Sequence, residues 1–147
     1  MKVLSLFDGI SCGMLALQRA GIPVECYDAF EIDKYAVTVS KRNFPVIVHH
    51  GNVYDGDFTQ FRGYDLLLGG SPCTYWSIAK KDREVDCNGE GFRLFKEYVR
   101  ALEESGCKYF LYENNYSVHQ NIKDEISKTL GVEPVSYTHL RAHETAA

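Results

Sequence analysis

The run Asp65-Leu66-Leu67-Leu68-Gly69-Gly70-Ser71-Pro72-Cys73 (DLLLGGSPC) decides how the chain folds. Three consecutive leucines without polar alternation predict a strand covered on both faces. Two glycines end that strand, Pro72 stiffens the turn, and Cys73 arrives at the carboxyl end. In open parallel α/β sheets, ligands and chemistry gather at this rim. The position suits a nucleophile, although a cysteine is also a small apolar residue that cores absorb readily.

Upstream of this run the pattern is strand, glycine turn, helix. Residues 2–7 (KVLSLF) predict a strand, followed by Asp8-Gly9-Ile10-Ser11-Cys12-Gly13 and a helix with Met14, Leu17 and Ala20 or Gly21 inward. Such a unit cradles nucleotides, because glycines allow close backbone approach and the helix start offers unpaired N–H groups. Gly9 and Gly13 form G-x-x-x-G, not the G-x-G-x-x-G of dinucleotide folds, which argues against a nucleotide-dependent oxidoreductase. A second strand, residues 25–30, ends at Glu31, 22 residues beyond Gly9. That carboxylate either grips ribose hydroxyls or opens the following helix, which Asp33 caps and whose inner side is Ala36, Val39 or Ser40, and Asn43. A third strand, residues 46–49, leads to Gly51-Asn52-Val53, which either meets an adenine edge and face or forms a plain turn.

Residues 54–63 read as a polar connection. Beyond Cys73, the stretch from Thr74 to Glu90 has no period and gathers Lys80, Lys81 and Arg83. Loops this long are functional or mobile, and Gly89 and Gly91 offer flexible points at its far end. Its cations either meet phosphates or simply face solvent. A helix follows with Phe92, Phe95, Val99 and Leu102 on one face. Residues 108–112 (KYFLY) predict a fifth strand that brings Glu113-Asn114-Asn115 to the rim holding Cys73, one strand away. A last helix, from about 117 to 130, places Ile122, Ile126 and Leu130 inward and stops at Gly131.

Composition sets outer limits. The chain has 147 residues, 45% apolar and 24% charged, which suits one domain with its own core. No apolar run is long enough to cross a bilayer, and no signal-like segment opens the sequence. Five cysteines with no CxxC pair disfavour a disulfide scaffold or a zinc site and fit a reducing cytoplasm. His139 and His143 gather no other ligand types and are expected at the surface, so no metal is expected. At net charge −4, any nucleic-acid contact must come from a local basic patch.

Taken in order, FDGISCG, Glu31, GNV, GGSPC, GFRLFKE and YENN resemble the motifs of C5-cytosine DNA methyltransferases over residues 1 to about 133. The wording of FDGI and GGSPC is most similar to the de novo branch and its phage relatives. The resemblance implies a doubly wound, mostly parallel, Rossmann-like α/β methyltransferase sheet, truncated, with S-adenosylmethionine as cofactor. It assigns Phe7, Asp8, Gly9, Ile10, Ser11 and Gly13 to the loop around the cofactor's methionine part and Glu31 to its ribose. Ile32 would pack beside the adenine. Asn52 stands where an aspartate is usual, followed by Val53; its carbonyl can still accept a hydrogen bond, without charge assistance. Pro72 and Leu94 match positions that line the cofactor pocket.

The same resemblance makes Cys73 the nucleophile that adds to carbon 6 of cytosine and Glu113 the partner of ring N3. That role favours a carboxyl whose pKa is raised by partial burial on the rim. The substrate would be double-stranded DNA with the cytosine flipped out, with Lys80, Lys81 and Arg83 as phosphate contacts. Residues 1–135 are thus expected to be the cofactor-binding and catalytic half of a methyltransferase domain of bacterial or phage type, working in restriction–modification, phage self-protection or epigenetic marking. Residues 136–147 match no family motif and are expected to be a foreign tail. No target-recognition region follows, so weak cofactor binding and little activity are expected. A non-catalytic adaptor or remnant and a tRNA cytosine methyltransferase are the alternatives.

Overall fold

The computed structural model describes residues 1–135. Five strands, β1 (Lys2–Leu6), β2 (Cys26–Phe30), β3 (Val48–His49), β4 (Leu66–Gly69) and β5 (Tyr109–Tyr112), form one sheet in the order β3-β2-β1-β4-β5. Every neighbouring pair is parallel. All five carboxyl ends therefore lie on one rim. The strand order reverses direction between β1 and β4, the place where sheets of this kind take ligands.

Alternation along the strands sorts the core into two layers. Val3, Tyr27, Ala29 and Leu68 point to one face and pack on Met14 and Leu17 of α1 (Cys12–Arg19). Leu4, Leu6, Phe30 and Leu67 point to the other, against Leu94, Tyr98 and Ala101 of α3 (Glu90–Ser105). Each large side chain buried this way contributes roughly 1.5–3 kcal/mol. A third cluster joins Phe92 and Phe95 of α3 to Ile122 of α4 (Gln120–Leu130), with Trp76 and Val118 between them. Helices thus cover both faces, as a doubly wound sheet requires.

Several local expectations are corrected. Residues 54–63 are not a polar connection: two short 3-10 helices, Val53–Asp55 and Phe58–Phe61, bury Val53, Phe58 and Phe61. Their aromatic rings interlock with Phe30 at centroid distances of 5.1 and 5.9 Å, packing that no period in the sequence announces. β3 is only two residues long, with Val46 left exposed. α2 (Lys34–Asn43) buries only Ser40, which decides between Val39 and Ser40 in favour of the serine and leaves Ala36 and Asn43 outside the buried side. In α1, Ala20 and Gly21 lie outside the buried side. α4 starts at Gln120, where His119 caps it, three residues later than the period suggests. The tail from 136 to 147, with His139 and His143, lies outside the described residues. No helix among the described residues is long and apolar enough to cross a membrane.

Candidate functional site

The β1 end supplies a loop of unusual backbone. Phe7 and Ser11 are non-glycine residues at φ 56° and 66°, and Gly9 between them is at 59°. Left-handed conformation is costly for side-chain-bearing residues and persists only where the surroundings hold it. Here the holding group is Asp8. Its carboxylate accepts from Ser5 at 2.6 Å, from the Tyr27 hydroxyl at 2.7 Å, and from Ser11 Oγ. Asp8 thus faces inward and shapes the loop from beneath. Its bond and burial push the Tyr27 phenol far above the ordinary range, with burial the larger cause.

Glu31, at the β2 end, clamps this loop from the side. Its carboxylate accepts from Gly9 N at 2.8 Å and from the backbone N–H groups of Ile32 and Asp33, each also at 2.8 Å. A carboxylate offers about four acceptor positions, so roughly one remains for a ligand hydroxyl. Both uses of this residue therefore coexist: it orders the helix start and stays open outward. Ile32 beside it is 75% exposed, a bare apolar surface next to a carboxylate. Asp33 caps α2 by accepting from Tyr35 N and Ala36 N.

At the β3 end, Gly51 turns at φ 87° and Asn52 Oδ1 caps the short helix by accepting from Tyr54 N at 3.1 Å. Val53 is buried beneath it. The loop is pinned by Arg100 of α3, which no motif or spacing singles out. Its guanidinium donates to the carbonyls of Val53 (3.0 Å) and Gly56 (2.9 Å) and lies over Phe58, flanked by Glu97 and Glu104. Only the solvent-side position of Arg100 on an amphipathic helix was visible beforehand.

β4 and β5 bring the turns of Cys73 and Glu113 to one rim. Glu113 N donates to Gly69 O at 2.9 Å, and Asn114 Nδ2 donates to Ser71 O at 2.8 Å. Ser71 Oγ meets the Tyr112 hydroxyl at 2.6 Å. Gly70 is obligatory in this seam: a Cβ there would lie 2.0 Å from the Glu113 carbonyl oxygen and 3.5 Å from Glu113 Oε2. The turns bearing Cys73 and Glu113 are therefore laced side by side on one rim. Cys73 opens a short 3-10 helix, is exposed, and has no disulfide partner. Glu113 is exposed too, in place of the half-buried carboxyl expected.

The loop after Cys73 is anchored, contrary to a freely mobile reading. Trp76 is fully buried, and Glu84 accepts from its Nε1 at 3.2 Å and from Gly91 N at 3.0 Å. Gly91 sits inside α3 against the indole and Gly89 precedes the helix, so neither acts as a hinge point. Of the three loop cations, Lys80 lies over the Tyr75 ring, Lys81 is exposed, and Arg83 donates to Ser117 O at 3.0 Å. Arg83 is thus partly spent on holding the loop to the segment after Glu113. Pro72 is half-buried at the turn, whereas Leu94 lies in the α3 core and Ile10 is half exposed above the first loop. Gly13 is pressed against Tyr27 and Leu68, where a Cβ would come within 2.8 and 2.9 Å.

The model for C-5 cytosine-specific DNA methylases matches residues 1–131. The chain belongs to that family. Among relatives of this methylase chain, the orphan methyltransferase M.SPRI of Bacillus phage SPR is 38% identical over 118 residues, 78% of this chain and 26% of that protein. The type II methyltransferase M.HgiCII of Herpetosiphon aurantiacus is 34% identical over 116 residues, 77% of this chain and 25% of that one. This methylase chain spans about a quarter of the length of these curated relatives. Its fold is similar to a Spodoptera frugiperda DNMT2 mutant (TM-score 0.63, 24% identity, 87% of this chain and 40% of the other). It is likewise similar to S. pombe Dnmt2 (TM-score 0.62, 18% identity, 89% and 41%). The Rossmann-like methyltransferase fold is as expected, and S-adenosylmethionine is the family's cofactor.

The residues present suit that cofactor. Gly9 and Gly51 leave open space where a Cβ would stand, Glu31 retains an acceptor position, and Ile32 offers an apolar face.

Proposed function

We propose that this chain carries the cofactor cradle and the catalytic pair of an S-adenosylmethionine-dependent cytosine-5 methyltransferase acting on DNA. The reading is carried by one observation: Asn114 Nδ2 on Ser71 O laces the Cys73 turn to the Glu113 turn at the carboxyl ends of β4 and β5, on the rim next to the β1–β4 switch point. Phe7, Asp8, Gly9, Ile10, Ser11 and Gly13 would hold the methionine part of the cofactor, and Glu31 its ribose. Ile32, Asn52 and Val53 would hold the adenine, with Pro72 at the edge of the pocket. Asn52 Oδ1, already accepting from Tyr54 N, has a second lone pair for an amino group. Leu94 supports the pocket from the core.

Carbon 5 of cytosine is a weak nucleophile, and Cys73 corrects this. As a thiolate, its Sγ forms a bond to carbon 6 while the ring's double-bond electron pair moves toward carbon 5 and N3. A proton shared between the Glu113 carboxyl and N3 stabilises the displaced charge. Bound S-adenosylmethionine supplies the electrophilic methyl group that carbon 5 takes up. Loss of the carbon 5 proton to water then restores the C5–C6 double bond and expels Cys73 as thiolate, while N3 returns its proton to Glu113. A stacked base is out of reach of this thiol, so the substrate cytosine is flipped. Lys80 and Lys81 would meet phosphates of the flanking backbone, and Arg83 holds the loop that carries them through Ser117 O.

Trapping with DNA containing 5-fluorocytosine tests the reading, because fluorine blocks the last elimination. A covalent complex that needs S-adenosylmethionine and vanishes in Cys73→Ala supports it. No complex with DNA, or one formed only with an RNA carrying the same base, overturns the DNA assignment. Cofactor binding without any adduct would mark a non-catalytic adaptor.

A further inference from the structure

Beneath the first loop lies a hydrogen-bonded chain that no step above uses. Ser11 Oγ contacts both Asp8 Oδ2 and Ser40 Oγ, and Ser40 Oγ lies 3.1 Å from His49 Nε2. Ser11 and Ser40 are fully buried, and Ser40 is the one buried side chain of α2. His49 Nδ1 is buried with no partner.

Counting protons fixes the direction of this chain. Asp8 already accepts from Ser5 and Tyr27 and, as a carboxylate, can only accept. Ser11 must therefore spend its one proton on Asp8. Ser40 must donate to Ser11, which leaves Ser40 only as an acceptor toward His49. His49 then carries its proton on Nε2, and Nδ1 is left as a bare lone pair, matching its orphaned state. Burial holds the His49 imidazole below its ordinary range, which favours this neutral form. The chain runs one way: His49 N–H to Ser40, Ser40 to Ser11, Ser11 to the Asp8 carboxylate.

We propose that Ser40 and His49 are positioning residues for cofactor binding, holding Ser11 in its left-handed conformation through this directed chain and so pre-forming the Phe7–Ser11 loop. This rests on the cofactor reading above. Ser11 at φ 66° is the strained member that the chain secures, and neither Ser40 nor His49 belongs to the residues assigned to the ligand. The geometry a cofactor meets is then set from α2 and β3, one layer behind the pocket.

The full chain can be titrated with S-adenosylmethionine in a calorimeter at a temperature where every variant is folded. Ser40→Ala should weaken binding about fivefold to tenfold, the usual cost of a lost buried hydrogen bond, with circular dichroism unchanged. Ser40→Thr and His49→Gln keep a hydroxyl and an N–H donor, and both should stay within about twofold of the parent chain. Long-range 1H–15N spectra of the parent chain should show His49 as the Nε2–H tautomer. Unchanged affinity in Ser40→Ala, or His49 protonated on Nδ1, would overturn the inference while leaving the cofactor reading intact. Failure of the parent chain to bind S-adenosylmethionine at all would overturn both. Should Ser40→Ala not fold, the tautomer and the Ser40→Thr affinity still decide, and a large loss in Ser40→Thr counts against the inference.

Discussion

The Nδ2 of Asn114 donates to the Ser71 carbonyl over 2.8 Å, so the residue after Glu113 holds the turn two residues ahead of Cys73. Two turns far apart in sequence, those of Cys73 and Glu113, are thus aligned by one side chain. Asn114→Ala should cost about 1–2 kcal/mol, since it deprives a part-buried carbonyl of its donor. The measure is a lower urea midpoint at unchanged slope. Asn114→Asp should be at least as harmful, because it turns a carboxylate toward that carbonyl.

Glu84 ties the loop after Cys73 to the start of α3 through Trp76 Nε1 and Gly91 N. Glu84→Ala strands both donors, at about 1–3 kcal/mol. Limited proteolysis should then cut between residues 77 and 88 faster than in the parent chain, with the strands still protected. Equal cutting rates would mean that Trp76 packing alone fixes the loop.

Four of the five thiols should separate by reactivity. Cys12 and Cys73 are exposed, whereas Cys107 is buried. Burial pushes the Cys107 thiol up, and burial, then Glu125 and Asp86, does the same to Cys87. A thiol with raised pKa holds less thiolate at a given pH and alkylates more slowly. Peptide mapping after brief iodoacetamide treatment near pH 8 should find Cys73 and Cys12 labelled before Cys87, and Cys107 last.

His49 gives the fold an acid-side weakness. Its imidazole is held below the ordinary value of 6.5 in the folded chain, chiefly by burial. The unfolded chain therefore binds the extra proton more readily. The stability this contributes is complete above pH 6.5 and is lost progressively as pH falls below it, toward the lowered folded value. His49→Gln has nothing to protonate there and should lose less stability between about pH 7 and pH 5 than the parent chain, measured by urea unfolding.

Much of the architecture was legible because buried parallel strands announce themselves. LLLGG and KYFLY could be placed on adjacent strands by their apolar runs and the turns that end them, and the rim followed from parallelism. The roles of 58 and 61 were not legible, since Phe58 and Phe61 are spaced like one turn of helix inside an otherwise polar stretch. On α2 the spacing left Val39 and Ser40 as alternatives, and what decides for Ser40 is its bonding to Ser11 and His49, which no hydrophobic period can report. Trp76 and Glu84 form a contact set by tertiary packing, so the segment around them read as loose when it is fastened. Motif residues at strand ends were found by chemistry and spacing. Asn114 was quoted with its motif, but its bond to Ser71 O is a tertiary contact that spacing cannot show, and Arg100 acts from α3 with no local signature.

β5 edges the described sheet, with β4 on one side and no strand on the other. On the face away from α3, Tyr109 and Leu111 are 52% and 59% exposed. Unpaired N–H and C=O groups beside bare apolar rings invite a further chain to add itself. Concentrated solutions should consequently lose material by lateral strand addition, visible as rising light scatter. Leu111→Lys, on the exposed face of β5, should slow that loss and keep the material usable for crystallisation.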